Sequence, residues 1–245
     1  MCADRDVVAP GTESLYTEGL SGLPNIIAFS PPSDEYEVND APVLTKGYMT
    51  FASFNRLIKI TKQTLDLWSA VLRAIPTSRF ILKTTSVVEA GTWERYRGEF
   101  GERGVDPSRI TFEGQTARAL HLVRHNDVDL ALDTYPHCGG ITTGEGMWMG
   151  VPCVTLVGPT VVSRLSYSFL RAVGVGEKFA VDSPDAYVAN AVHWSEHTAD
   201  LNWQRRRLRQ RMKQSAWLDH TAYAHAVEAM YREAWRTWCL GEALK

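Results

Sequence analysis

The stretch LDTYPHCGGITTGEGMWMGVP, Leu132 to Pro152, decides how this chain is read. An apolar run, VDLALD, ends in a loop carrying Gly139 and Gly140, then Thr142 and Thr143, and a helical pattern, GEGMWMG, follows. An open parallel sheet builds ligand sites in this order, beyond the carboxyl ends of its strands. Glycine lets the backbone approach a phosphate, and the first N–H groups of a helix meet it with the positive end of the helix dipole. The hydroxyls of Thr142 and Thr143 add donors, and Glu145, in the first turn, can accept from a ribose hydroxyl. A Gly-Gly-x-Thr-Thr loop also fits a plain turn capped by threonine, so its meaning depends on what surrounds it.

What surrounds it is a series of short apolar runs: YMTFAS, RFILK, RITFE, VDLALD, PCVTLVG and KFAV. Helical patterns separate them. In TKQTLDLWSAVLRAI, Leu65, Trp68, Leu72 and Ile75 recur at three- and four-residue spacing, with Thr61 or Thr64 to cap the start and Pro76 past the end. Alternation of this kind predicts an α/β fold, a Rossmann-like parallel sheet with helices on both faces. Beyond Asp182 the strands stop and the C-terminal end is helical. Its last helix, from about His220, carries Ala224, Val227, Tyr231, Trp235 and Trp238 along one stripe. That stripe is expected to pack on its own domain, the alternative being a partner lobe.

Residues 1–46 are expected to form an extended N-terminal segment and linker, and 47–240 one lobe with C-terminal helices. SPPSDEYEVNDAP, with Pro31 and Pro32 before four acidic residues, suits neither helix nor central strand and predicts a solvated linker. The block RRRLRQRMK, Arg205 to Lys213, predicts a solvated helix face, because nucleic-acid binding would call for more aromatic residues than Trp203 nearby.

Composition narrows the classes further. A chain of 245 residues with 44% hydrophobic and 22% charged residues is globular, not disordered or fibrous. A formal net charge of −2 gives no global attraction to nucleic acid or an anionic membrane, so any polyanion must meet a local cluster of donors. The four cysteines include no C-x-x-C pair, which predicts free thiols and neither a zinc site nor a disulfide framework. No apolar run reaches the length of a membrane span, and the start, MCADRDVVAPGTE, is unlike a secretory signal. A soluble, cytoplasmic protein with no nucleic-acid or membrane partner is the expectation.

Two further basic clusters follow strands. FNRLIKI places Arg56 and Lys59 at the sheet edge where their charges can offset a diphosphate. TARALHLVRH repeats Arg118, His121 and Arg124 at three-residue spacing on one helix face. Topology brings all three clusters to one rim, which in a chain of this net charge argues for a polyanion pocket.

The combination of GYMTFASFNRLIKI, LALDTYPHCGGITTGEGMWMGVPCVTL and SRLSYSFL resembles the C-terminal half of the catalytic region of O-linked N-acetylglucosamine transferases, from about Leu15 to Trp238. The resemblance implies one lobe of a two-lobed GT-B glycosyltransferase that binds UDP-N-acetylglucosamine and, without a metal or other cofactor, transfers the sugar to Ser or Thr of a protein acceptor. It places the diphosphate-contacting, catalytic lysine on Lys59, with Arg56 near the nucleotide. It sets His121 beside the uridine, with Arg118 at the base and Arg124 on a matching arginine. The phosphate-binding threonines fall on Thr142 and Thr143, and the ribose carboxylate on Glu145 of the bacterial-type motif. Ile141 replaces a polar family residue. The family's other, acceptor-binding lobe precedes the matched region, so this chain is expected to be the donor lobe alone, with a separate N-terminal catalytic lobe as a candidate partner. Two alternatives stay open: a non-catalytic nucleotide-binding or interaction module derived from that lobe, and another GT-B UDP-sugar enzyme.

Overall fold

Six short strands pair side by side, all parallel: β1 (Thr50–Ser53), β2 (Arg79–Lys83), β3 (Ile110–Glu113), β4 (Leu130–Leu132), β5 (Cys153–Leu156) and β6 (Ala180–Val181). The structure, a computed structural model, describes residues 2–241 apart from positions 5, 18, 20, 26, 34, 85 and 90. Each apolar run of the sequence contributes one strand. KFAV contributes only its last two residues, since Phe179 closes a helical turn, Gly176–Phe179.

Between successive strands lie α1 (Lys62–Ala74), α2 (Thr92–Glu102), α3 (Arg118–Val123), α4 (Ile141–Trp148) and α5 (Leu165–Ala172). After β6 come α6 (Pro184–Glu196), α7 (Thr198–Lys213) and α8 (His220–Cys239). The helices cover both sheet faces, which is why every residue of β1 and β5 is buried. On α1 the Thr61 hydroxyl caps the start by accepting from the Thr64 N–H, and Leu65, Trp68 and Leu72 are buried as their spacing predicts.

The strand order is β3-β2-β1-β4-β5-β6. The chain adds strands outward from β1, then returns to the middle and sets β4 on the other side of β1. The two strands whose connections leave in opposite directions are therefore β1 and β4, and the crevice beyond their carboxyl ends is where such sheets bind ligands.

The N-terminal segment keeps Ser33, Glu35, Glu37, Asn39 and Asp40 exposed. It has little regular structure over residues 23–42, yet Arg205 of α7 clamps it. Arg205 is 1% exposed; its guanidinium donates to the carbonyls of Asn39 (2.8 Å) and Val128 (2.6 Å) and to Asn39 Oδ1 (2.6 Å). Arg206 donates to the Val38 carbonyl and Arg209 to those of Tyr36 and Trp148. A backbone without secondary structure leaves its carbonyls free, and the arginine block supplies their donors. The predicted solvated face is thus partly a structural clamp. Asp34, from the same acidic run, lies outside the described residues.

Further along the segment, Phe29 stacks on Trp217 at 4.9 Å, and Trp217 stacks on Phe169 at 4.3 Å. These rings back α4. Gly144 is required there, since a Cβ would meet both Phe29 and Trp217 at 2.9 Å. α8, by contrast, has no buried residue, and Tyr231, Trp235 and Trp238 are two-thirds exposed. The expected packing of this stripe on its own domain is not found. Among the described residues no helix is long and apolar enough to cross a membrane.

Candidate functional site

At the crevice, the segment after β1 meets the loop after β4. Phe54, Asn55 and Arg56 lead from β1 into a single turn of 3₁₀ helix, Leu57–Lys59. The turn aims Lys59 across the crevice, where Nζ donates to the Cys138 carbonyl at 2.7 Å. The hydroxyls of Thr61 and Thr64 both donate to the Tyr135 carbonyl, so the start of α1 holds the same loop. Burial lowers the Lys59 pKa, the charge of Asp133 works against that, and Arg56 adds to the lowering.

The loop itself is organised by Asp133, the residue after β4. Its Oδ1 accepts from the N–H groups of Thr134 (2.9 Å) and Gly139 (2.7 Å), and its Oδ2 from the Thr155 hydroxyl (2.7 Å). Burial raises its pKa, and hydrogen bonds from Ser166, Thr155, Gly139 and Thr134 oppose the rise. Gly139 admits no side chain, because a Cβ would run into Thr143 and Asp133.

From this loop α4 starts at Ile141. Its first intrahelical bond is Gly144 N–H to the Gly140 carbonyl at 3.1 Å, which leaves the N–H groups of residues 141–143 ahead of the ladder. Thr142 lies toward the crevice and donates to Asn55 Oδ1 at 3.3 Å. Thr143 turns inward, buried, with its hydroxyl 3.3 Å from that of Ser166. Ile141 is 47% exposed at the mouth.

The third cluster closes on Glu145, which lies past the first turn of α4 and not in it as expected, because the helix starts at Ile141. Arg118 donates to Glu145 Oε1 at 2.7 Å, and His121 Nε2 lies 3.6 Å from Glu145 Oε2. Burial raises the Glu145 pKa, but His121 and Arg118 outweigh it and hold the carboxyl below its ordinary value. The His121 ring sits 5.4 Å from Phe54, the neighbour of Asn55.

Three segments far apart in sequence therefore come together at α4: Lys59 holds the loop before it, Thr142 and Glu145 lie on it, and Arg118 and His121 contact Glu145. Arg56 is exposed beside them, near enough for its charge to reach Lys59. Arg124 is not brought to the group: its guanidinium is held by Glu113 at 2.6 Å and Asp127 at 2.7 Å. α3 ends at Val123, and Arg124 opens the 3₁₀ turn Arg124–Asp127, where Asp127 of that turn and Glu113 at the end of β3 capture it.

Three residues that the sequence reading did not single out matter here. Asn55 links the two sides of the crevice, and Asp133 organises the loop. His125, buried against Phe54 at 4.4 Å, supports His121, and burial lowers its pKa to about 3, so it stays neutral. A polar residue one or two positions after a buried strand was the available signal for Asp133 and Asn55.

A small cavity between Asn55, Thr142 and His125 reaches behind α4. Among the described residues no cluster of His, Cys, Asp and Glu is placed to hold a metal ion. Cys138 and Cys153 are buried free thiols, and Cys239 an exposed one.

This geometry has close counterparts. A probable UDP-N-acetylglucosamine–peptide N-acetylglucosaminyltransferase SPINDLY of Solanum lycopersicum is 32% identical over 235 residues, 95% of this chain and 25% of the relative. The UDP-N-acetylglucosamine–peptide N-acetylglucosaminyltransferase of Caenorhabditis elegans is 31% identical over 92% of this chain and 19% of its own. This chain thus spans about a quarter of the length of such relatives. The solved O-GlcNAc transferase of Thermobaculum terrenum superposes with a TM-score of 0.85 at 32% identity, over 99% of this chain and 46% of that one. Sucrose-phosphate synthase of Thermosynechococcus elongatus, 18% identical over 89% of this chain and 53% of its own, shares the fold with a TM-score of 0.56. The sheet is one Rossmann-like lobe of the GT-B architecture. The model of glycosyl transferase family 41 matches residues 38–227, and the chain belongs to that family.

Proposed function

We propose that this chain is the donor-binding lobe of a protein O-GlcNAc transferase-like glycosyltransferase, holding UDP-N-acetylglucosamine for transfer to Ser or Thr of a protein. One observation carries the reading: at the crevice where the strand order reverses, the Lys59 ammonium holds the loop that leads into α4, whose leading N–H groups start the helix three residues on. Both are donors, and a diphosphate matches them. When the acceptor oxygen attacks the anomeric carbon, the bond to UDP breaks and negative charge grows on the departing diphosphate. Lys59 and the helix N-terminus stabilise that charge without a metal, a contribution of the kind whose removal raises barriers by roughly 3 kcal/mol. Arg118, His121 and Glu145 flank the nucleoside. The acceptor hydroxyl must be held within about 3–3.5 Å of the anomeric carbon, and a separate catalytic lobe is assigned that task.

Calorimetric titration with UDP in the presence of EDTA tests the reading. Binding that uridine alone does not match supports it, and competition among UDP-N-acetylglucosamine, UDP-glucose and UDP-galactose ranks the sugars. No binding of UDP at millimolar concentration overturns it.

A further inference from the structure

The peptide group between Cys138 and Gly139 is held at both ends. Its N–H donates to Asp133 Oδ1 at 2.7 Å, and its carbonyl accepts from Lys59 Nζ at 2.7 Å. One rigid plane thus separates a buried carboxylate from the ammonium at the crevice. Asp133 is 2% exposed, and its other oxygen is fixed by Thr155. Because the peptide is planar, fixing the direction of its N–H fixes the direction of its C=O. Hydrogen bonds in series also polarise one another, so a charged acceptor on the N–H makes the carbonyl a stronger acceptor.

We infer that Asp133 is a positioning residue for Lys59: its carboxylate sets the Cys138–Gly139 peptide plane, whose carbonyl holds the ammonium where it meets the ligand. What Lys59 then binds rests on the donor-lobe reading; the link from Asp133 to Lys59 does not. The charged or titratable groups facing Lys59 are Asp133, Arg56, His137 and the Cys138 thiol, and burial pushes that thiol up to about 12, so it is neutral near pH 7. Asp133 is the carboxyl in this set.

Asp133→Asn separates shape from charge. An amide oxygen can accept both N–H groups, and its NH2 can donate to the Thr155 hydroxyl. The first measurement uses the full chain without nucleotide: the rate of reductive methylation of Lys59 against pH, read by peptide mass spectrometry. The midpoint is expected to fall by about half a pH unit or more in Asp133→Asn, because a nearby anion favours the charged amine. The second is a double-mutant cycle on UDP affinity with Lys59→Ala. Asp133→Asn is expected to weaken UDP about three- to tenfold when Lys59 is present, and less than about twofold when it is not. Thr155→Val, which strips a donor from the same carboxylate, should act in the same direction at smaller size. If Asp133→Asn fails to fold, Thr155→Val carries both readings.

An unchanged methylation midpoint overturns the inference. So does an equal loss of UDP affinity with and without Lys59, which would mark Asp133 as a folding residue only. If the wild-type chain binds no UDP, the donor-lobe reading falls, and the methylation midpoint still decides the role of Asp133.

Discussion

Arg205 and Asn39 are 166 positions apart, yet the guanidinium of one holds both the main-chain and the side-chain oxygen of the other, at 2.8 and 2.6 Å. The pair ties the irregular N-terminal segment to the helical end of the lobe. Burial lowers the Arg205 pKa to about 10, so it remains charged at neutral pH. Arg205→Ala would strand the buried Val128 carbonyl and remove the donors that hold Asn39. We expect a loss of about 1–3 kcal/mol in urea unfolding, whereas exposed Arg207→Ala should change stability by less than about 0.5 kcal/mol. Similar small effects for both would show that the clamp is not energetically coupled to the fold.

Lys59→Ala should weaken UDP about tenfold or more, by the roughly 1.5–3 kcal/mol of a charge-assisted contact, and leave uridine nearly unaffected. Burial places the Lys59 pKa below 10.5. Since the protonated amine is the binding form, wild-type UDP affinity should fall as pH rises through that lowered pKa, and the alanine variant should lack this fall. Equal losses for UDP and uridine would assign Lys59 to folding.

His125 gives stability an acid dependence. Its folded pKa, about 3, lies below the ordinary 6.5, so between these values the unfolded chain takes up a proton that the native chain does not. Stability from this group is complete above pH 6.5 and declines as pH falls toward 3, by up to about 1.4 kcal/mol per pH unit. His125→Phe should flatten the dependence of urea midpoints on pH in that range. An unaltered slope would mean that other groups govern it.

Two glycines should respond oppositely to alanine. Gly144→Ala drives a methyl into Phe29 and Trp217 and should destabilise by about 1–3 kcal/mol, weakening UDP as α4 shifts. Gly98→Ala, on α2 with open space around it, should stabilise by about 0.5–1 kcal/mol. Thermal melts with parallel UDP titrations check both.

The exposed stripe of α8 should influence association more than folding. Replacing Trp235 and Trp238 by serine is expected to change unfolding free energy by less than about 0.5 kcal/mol and to reduce self-association in sedimentation at high concentration. A large loss of stability would mean that these rings pack on the lobe.

The sequence by itself determined the sheet. Short β-rich runs such as RFILK and PCVTLVG, separated by amphipathic helices, can bury their apolar surface only as parallel strands covered on both sides, and the six strands of the main sheet form where those runs lie. It also placed Lys59, Thr142, Arg118, His121 and Glu145 beyond strand ends, because chemistry at a carboxyl rim follows directly from chain order. Only the tertiary structure decided which members of those clusters meet. Arg124 sits three residues from His121, but it lies past the end of α3 and pairs with Glu113 and Asp127, and Thr143 turns into the core beside Thr142. Asp133 and the arginine block were decided the same way. Whether a charged side chain is solvated or buried depends on which distant backbone groups lack partners, and that pairing exists only once Asn39 reaches Arg205 and Gly139 folds back onto Asp133.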